Sequence, residues 1–296
     1  MKISSYEWFL NREKGRACLV AGVAPSITDF PFQKFKGVYL TCGDGALRLR
    51  DLFDANYWVV ANDVFPVPGE HSEIINKFKK TVFIFSDSVA CSRKNVDTEI
   101  FDKELEVDWF AFDQRHFNGS ACRQGGASCC KLTKLYPQRL TLQEYMKKQF
   151  NRQGCYSSGS TVAVHALAFA ILLGCNPIYL QGIEIPVYAD EYKYKPDAYA
   201  DSLLPFSPAR RPDLRKLFNF ISVVNLGKRK IKGALIRSGF VREKSPFFRD
   251  IPQILEDFNY LLSLAGENGI SIFNLSKTST LNKVKNLKYL EPAQIC

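Results

Sequence analysis

The 296-residue chain lacks a membrane-length apolar run, a Cys-x-x-Cys pair, a Gly-x-Gly-x-x-Gly fingerprint and a P-loop, and it has only three histidines, His71, His116 and His165. Each absence narrows the function. A spanning helix needs roughly 18 or more apolar residues; the most apolar stretch, residues 162–173, is shorter, carries His165 and sits between Gly159 and Gly174. Residues 1–16 mix Trp8, Phe9 and Leu10 with charges and lack the core of a signal peptide. The expected location is therefore cytoplasmic, with peripheral attachment at the inner face of the membrane left open. The nine cysteines are odd in number and several fall in apolar segments, which fits buried free thiols of a reducing compartment. Cys129 and Cys130 are adjacent and cannot readily both ligate one ion, so no metal site is expected beside His116. A dinucleotide site is not expected either, and nothing of P-loop type supports ATP.

Hydrophobic residues at 46% and charged residues at 24% describe an ordinary globular protein, long enough for one large α/β domain carrying a lid or a smaller second domain. The net charge of +10 is concentrated: residues 205–250 hold twelve Lys or Arg against three acids. Such a face implies an anionic partner, whether an acidic sugar, phosphate groups or a membrane surface; no nucleic-acid recognition motif accompanies it. A solvated basic surface is the plainer alternative.

Short continuous apolar runs at residues 17–22, 37–42, 57–61, 81–86, 107–112, 177–180 and 270–274 read as buried strands. An apolar helix at 162–174 and an amphipathic one at 251–266 lie among them. The pattern predicts an α/β fold: a Rossmann-like, mostly parallel sheet with helices on both faces and a smaller lid subdomain. Residues 1–185 form the nucleotide-binding domain, the tyrosine-rich and basic residues 186–250 the lid or acceptor subdomain, and residues 251–296 a helix and strand returning to the main sheet. A homo-oligomer is compatible with this division.

Ligands of open α/β sheets bind beyond the carboxyl ends of the strands. Gly22, Pro25 and Ser26 follow the first strand, Asp44 the second, and Asn62 and Asp63 the third, so all should meet at one crevice. The turn Ser157-Ser158-Gly159-Ser160 opens the apolar helix, where unpaired backbone N–H groups and the helix dipole can cradle an anion. A plain N-cap on a core helix is the alternative. His165 reads as a core residue of that helix.

These residues resemble two related groups. The segments 20–26, 157–159, 173–175 with 178–184, and 274–276 with Ser279 are similar to those of bacterial family 42 sialyltransferases, which use CMP-sialic acid, and of proteins typified by 6-hydroxymethylpterin diphosphokinase and the motility accessory factors that modify flagellin. The resemblance implies a metal-independent, inverting glycosyltransferase that moves an acidic sugar from a CMP-activated donor to a cell-surface glycan acceptor, as in lipopolysaccharide biosynthesis, with no cofactor. By position it implies nucleotide binding by Gly22, Pro25, Ser26, Asn62, Ser157, Ser158, Gly159 and Glu184, with Asp44 added from its strand end. Tyr188 and Tyr192 become candidate donors to the departing phosphate, and His116, Glu184 or Asp63 the base. The chain departs from the sialyltransferase pattern at Val23, where an Asn is expected, at Pro186, where a Tyr is, and near Ser245, where the general-base His is. Two alternatives stay open: a diphosphokinase-like phosphoryl transferase in which Asp44, Asp63 and Glu184 hold Mg²⁺, and a nucleotide-binding relative that has lost catalysis.

Overall fold

A computed structural model describes residues 1–60, 71–86, 99–112, 140–150, 161–185 and 251–295. Eight strands form one sheet: β1 (Cys18–Ala21), β2 (Val38–Cys42), β3 (Tyr57–Val60), β4 (Val82–Ser86), β5 (Trp109–Phe112), β6 (Ile178–Gln181), β7 (Ile272–Asn274) and β8 (Lys288–Tyr289). Their order is β5-β4-β3-β2-β1-β6-β7-β8, and every pairing is parallel. The fold is α/β and Rossmann-like. Strands buried on both faces need no alternation of polar and apolar residues, which is why Cys18-Leu19-Val20-Ala21 is wholly buried and reads as an unbroken apolar run.

The described helices are α1 (Gly45–Arg48), α2 (Ser72–Ile75), α3 (Glu99–Glu104), α4 (Leu142–Phe150), α5 (Val162–Leu172) and α6 (Ile251–Glu267). Both faces of the sheet are covered. On one, Trp58, Val60, Phe83, Phe85 and Trp109 pack with Ala46 of α1, Ile75 of α2 and Phe101 of α3. On the other, Phe9, Tyr57, Phe110 and Phe169 of α5 meet edge to face or tilted, with centroids 5.1–6.4 Å apart. Residues 163–172 of α5 are all buried. A helix that is apolar all round has no solvent face, and α5 accordingly lies between the sheet and α6, touching β1, β2 and β3. In α6, Ile251, Ile254, Phe258, Leu261 and Leu264 face inward, whereas the equally apolar Leu255 and Leu262 are half-buried.

The described residues within 1–185 and 251–295 belong to one compact unit. The expected lid at 186–250 lies outside the described residues. Among the described residues no helix is long and apolar enough to cross a membrane, and Cys18, Cys42 and Cys175 are buried free thiols. Burial pushes the Cys42 thiol up to about 12 and the Cys18 thiol well above its ordinary value, so neither offers a reactive thiolate near neutral pH.

Candidate functional site

The strand order fixes where a ligand would sit. From β1 the chain runs outward through β2, β3, β4 and β5, then returns to place β6 on the other side of β1. The connections therefore diverge at the carboxyl ends of β1 and β6. In open parallel sheets the strand ends at such a reversal are the usual ligand position.

The two loops cross closely. Gly22 N–H donates to the Gln181 carbonyl at 2.8 Å, and Ala24 N–H donates to the Gly182 carbonyl at 3.0 Å. A Cβ on Gly22 would lie 2.1 Å from the Gly182 oxygen, and one on Gly182, whose φ is +68°, would lie 2.5 Å from the Gly22 oxygen. Glycine is required at both positions, for the backbone crossing and, at Gly182, for the left-handed conformation. The Ser26 hydroxyl accepts from Gly182 N–H at 3.2 Å, and the Gln181 amide donates to the Ser26 carbonyl. Ser26 thus holds the two loops together. Gln181 is fully buried, and its Oε1 has no hydrogen-bond partner among the described residues.

Glu184 stands two residues beyond that crossing. Its Oε1 accepts from the Ser276 hydroxyl at 2.6 Å, and its Oε2 is buried with no hydrogen-bond partner among the described residues. Ser276 comes from the loop after β7, which is fastened to the loop after β6 at further points: the Ser279 hydroxyl donates to the Ile183 carbonyl at 2.8 Å, and Thr280 donates to that of Ile185. Within the β7 loop, the buried Asn274 donates to the Ser276 carbonyl at 2.9 Å and to Asn282 Oδ1 at 2.7 Å.

Of the residues singled out from the sequence, Gly22, Pro25, Ser26 and Glu184 come together at the β1/β6 ends. Asp44 is placed one strand away, at the amino end of α1, where it pairs with Arg48. Thr161 begins α5 in an extended conformation without a side-chain cap. Asn62, Asp63, His116, Ser157, Ser158, Gly159, Tyr188, Tyr192 and Ser245 lie outside the described residues. His165 is buried within α5, and burial depresses its pKa to about 3, so it is neutral at physiological pH and belongs to the core. Gln181 and Ser276 were given no role from the sequence. The signal for Gln181 was a polar residue closing an apolar strand; Ser276 lay in the resembling segment 274–276, but its contact with Glu184 cannot be read without knowing that β7 lies beside β6.

No family model matches the chain, and no curated protein sequence does. Among solved structures it is similar to the MAf glycosyltransferase of Magnetospirillum magneticum AMB-1, at 15% identity and a TM-score of 0.46, over 98% of this chain and 38% of that one. It therefore spans well under half of that protein's length. The sialyltransferase CstII of Campylobacter jejuni, in complex with the substrate analogue CMP-3FNeuAc, is similar at 12% identity and a TM-score of 0.46, over 94% of this chain and 87% of that one. The same enzyme with a trisaccharide acceptor and CMP gives 13% identity and a TM-score of 0.42, over 92% and 86%.

Proposed function

We propose that the chain is a glycosyltransferase that binds a CMP-activated acidic sugar in the β1/β6 crevice and transfers the sugar to a glycan acceptor. One observation carries the reading. At the point where strand order reverses, the Glu184 carboxylate is held by one oxygen, while the other is a buried acceptor that meets no donor among the described residues. Buried polar groups are almost always paired, and a nucleotide's ribose hydroxyls or base amine would supply the missing donor. The sequence motifs around Gly22, Ser158 and Glu184 support the same ligand class.

In the proposed reaction the acceptor hydroxyl oxygen attacks the anomeric carbon as the bond from that carbon to the CMP phosphate breaks, with inversion. His116 takes the hydroxyl proton, and the phenols of Tyr188 and Tyr192 donate hydrogen bonds to the departing phosphate. The basic residues 205–250 would hold the anionic acceptor, or the membrane surface that presents it.

A thermal-shift screen against CMP, CDP, UDP, GDP and ATP, each with and without Mg²⁺, tests the nucleotide. A ligand present at about a hundred times its dissociation constant stabilises the fold by roughly 2.7 kcal/mol. The expected outcome is stabilisation by CMP or CDP without metal, lost in Ser158→Ala and Asn62→Ala. Stabilisation by ATP with Mg²⁺ alone would replace glycosyl transfer with phosphoryl transfer.

A further inference from the structure

The loop after β7 contributes no side chain that the nucleotide reading requires, yet it touches three consecutive residues of the loop after β6. Ser279 holds the carbonyl of Ile183, Ser276 the carboxylate of Glu184, and Thr280 the carbonyl of Ile185. Two of these contacts fix backbone. The middle one fixes the orientation of a side chain.

The proton order in that middle contact follows from donor counting. The Ser276 hydroxyl donates to Glu184 Oε1 at 2.6 Å, and a hydroxyl has one proton, so that proton is committed there. Thr278 Oγ1 lies 3.2 Å from Ser276 Oγ, and with the serine proton already used, Thr278 is the donor there. The chain thus runs Thr278 to Ser276 to Glu184. Hydrogen bonds to a charged acceptor are shorter and stronger than neutral ones, and each bond in such a series polarises the next. Ser276 itself is 1% exposed and cannot swing out to water. Its main chain is pinned by Asn274 and Asn282, both donating to its carbonyl, at 2.9 and 3.1 Å. A hydroxyl held this firmly orients the carboxylate, with Oε1 bonded to Ser276 and Oε2 buried without a partner among the described residues.

We propose that Ser276 is a positioning residue for nucleotide recognition, presenting Glu184 Oε2 to the ligand from the neighbouring strand-end loop, with Thr278 behind it. The proposal rests on the nucleotide reading above and adds a second loop, remote in sequence, to the recognition unit. Ser276 touches no substrate; it acts through Glu184.

The test is a double-mutant cycle on the full chain with Glu184→Gln, Ser276→Ala and their combination, with Ser276→Thr as the conservative rescue. Urea unfolding of the free protein reads the pairing itself, and calorimetric titration with CMP reads recognition. In the unfolding series, the two single losses should exceed that of the double variant when summed, because one bond is removed twice; strict additivity overturns the proposal. In the titration, Glu184→Gln should weaken CMP about tenfold or more. Ser276→Ala should weaken it severalfold, Ser276→Thr should restore it, and the double variant should bind no worse than Glu184→Gln alone. CMP affinity lowered by Glu184→Gln but unchanged by Ser276→Ala overturns the positioning role while leaving the site intact. Affinity unchanged by Glu184→Gln, or no CMP binding by the native chain, removes the nucleotide reading and the proposal with it.

Discussion

At the scale of single residues the glycines separate into opposite cases. Gly22 and Gly182 hold two strand-end loops so close that an added methyl would meet backbone oxygen at 2.1 and 2.5 Å. Backbone cannot step aside as a flexible side chain does, so Gly22→Ala is expected to cost about 1–3 kcal/mol or more. Gly266, near the end of α6, would place its Cβ in open space. There the substitution removes only the conformational freedom of the unfolded chain, and Gly266→Ala should gain roughly 0.5–1 kcal/mol. Urea midpoints of the two variants, moving in opposite directions, check the pair; a Gly22→Ala protein as stable as the native one would mean the loops do not cross as described. The sequence pointed to Gly22 for its neighbours and to Ser26 for its hydroxyl, but the partner of each, Gly182, is written 156 residues from Ser26. A linear pattern carries residue types, not which loop lies across from which.

Among the elements, the segment before β1 does more than the sequence implied. It reads as a polar, aromatic leader; folded, it caps a helix. The N–H groups of Asn11, Glu13 and Gly15 donate to the carbonyls of Leu172, Leu173 and Gly174 at 2.9–3.0 Å, satisfying groups left over at the end of α5. Phe9 is fully buried against Phe110 and Phe169. Phe9→Ala is therefore expected to destabilise the protein by about 3–5 kcal/mol, as truncation of a buried aromatic does, and to raise hydrogen exchange in the last turn of α5. A loss under about 1 kcal/mol with α5 protection intact would reduce the leader to surface decoration. The long strands and α5 were legible because full burial demands unbroken apolar runs. By contrast, β8 was not, since its two residues, Lys288 and Tyr289, are both exposed and carry no core signal. The clamp between the β6 and β7 loops was not legible either: Ser276 and Ser279 stood in a resembling segment, but what they and Thr280 hold appears only once β7 is known to pair with β6.

For the molecule as a whole, the buried histidine links the core to pH. The native pKa of His165 is about 3 against an ordinary 6.5, lowered by burial, so between these values the unfolded chain holds a proton that the native one does not. Stability must then fall as pH drops below about 6.5, by up to roughly 1.4 kcal/mol per pH unit from this group, and level off near pH 3. Unfolding free energies of the native protein and of His165→Leu at pH 7 and pH 5 check it: the native chain should lose more on acidification than the variant. Equal losses would show that His165 is protonated in the folded state or exposed on a shallower surface than α5 provides.

The crossing of loops at the β1/β6 ends has a consequence in time. Its two sides are contributed by residues 156 apart, and the clamp on Glu184 closes over a further 92. Contacts so distant in sequence form slowly, because much chain entropy is lost before any of them gains. A nascent chain that has reached β5 already carries the sequence of five adjacent strands, but not the far side of the loop crossing. It gains that far side only with β6, and a fixed Glu184 only with Ser276. The ribosome therefore releases the strands of one half of the sheet well before the residues that complete the loop crossing and the clamp on Glu184.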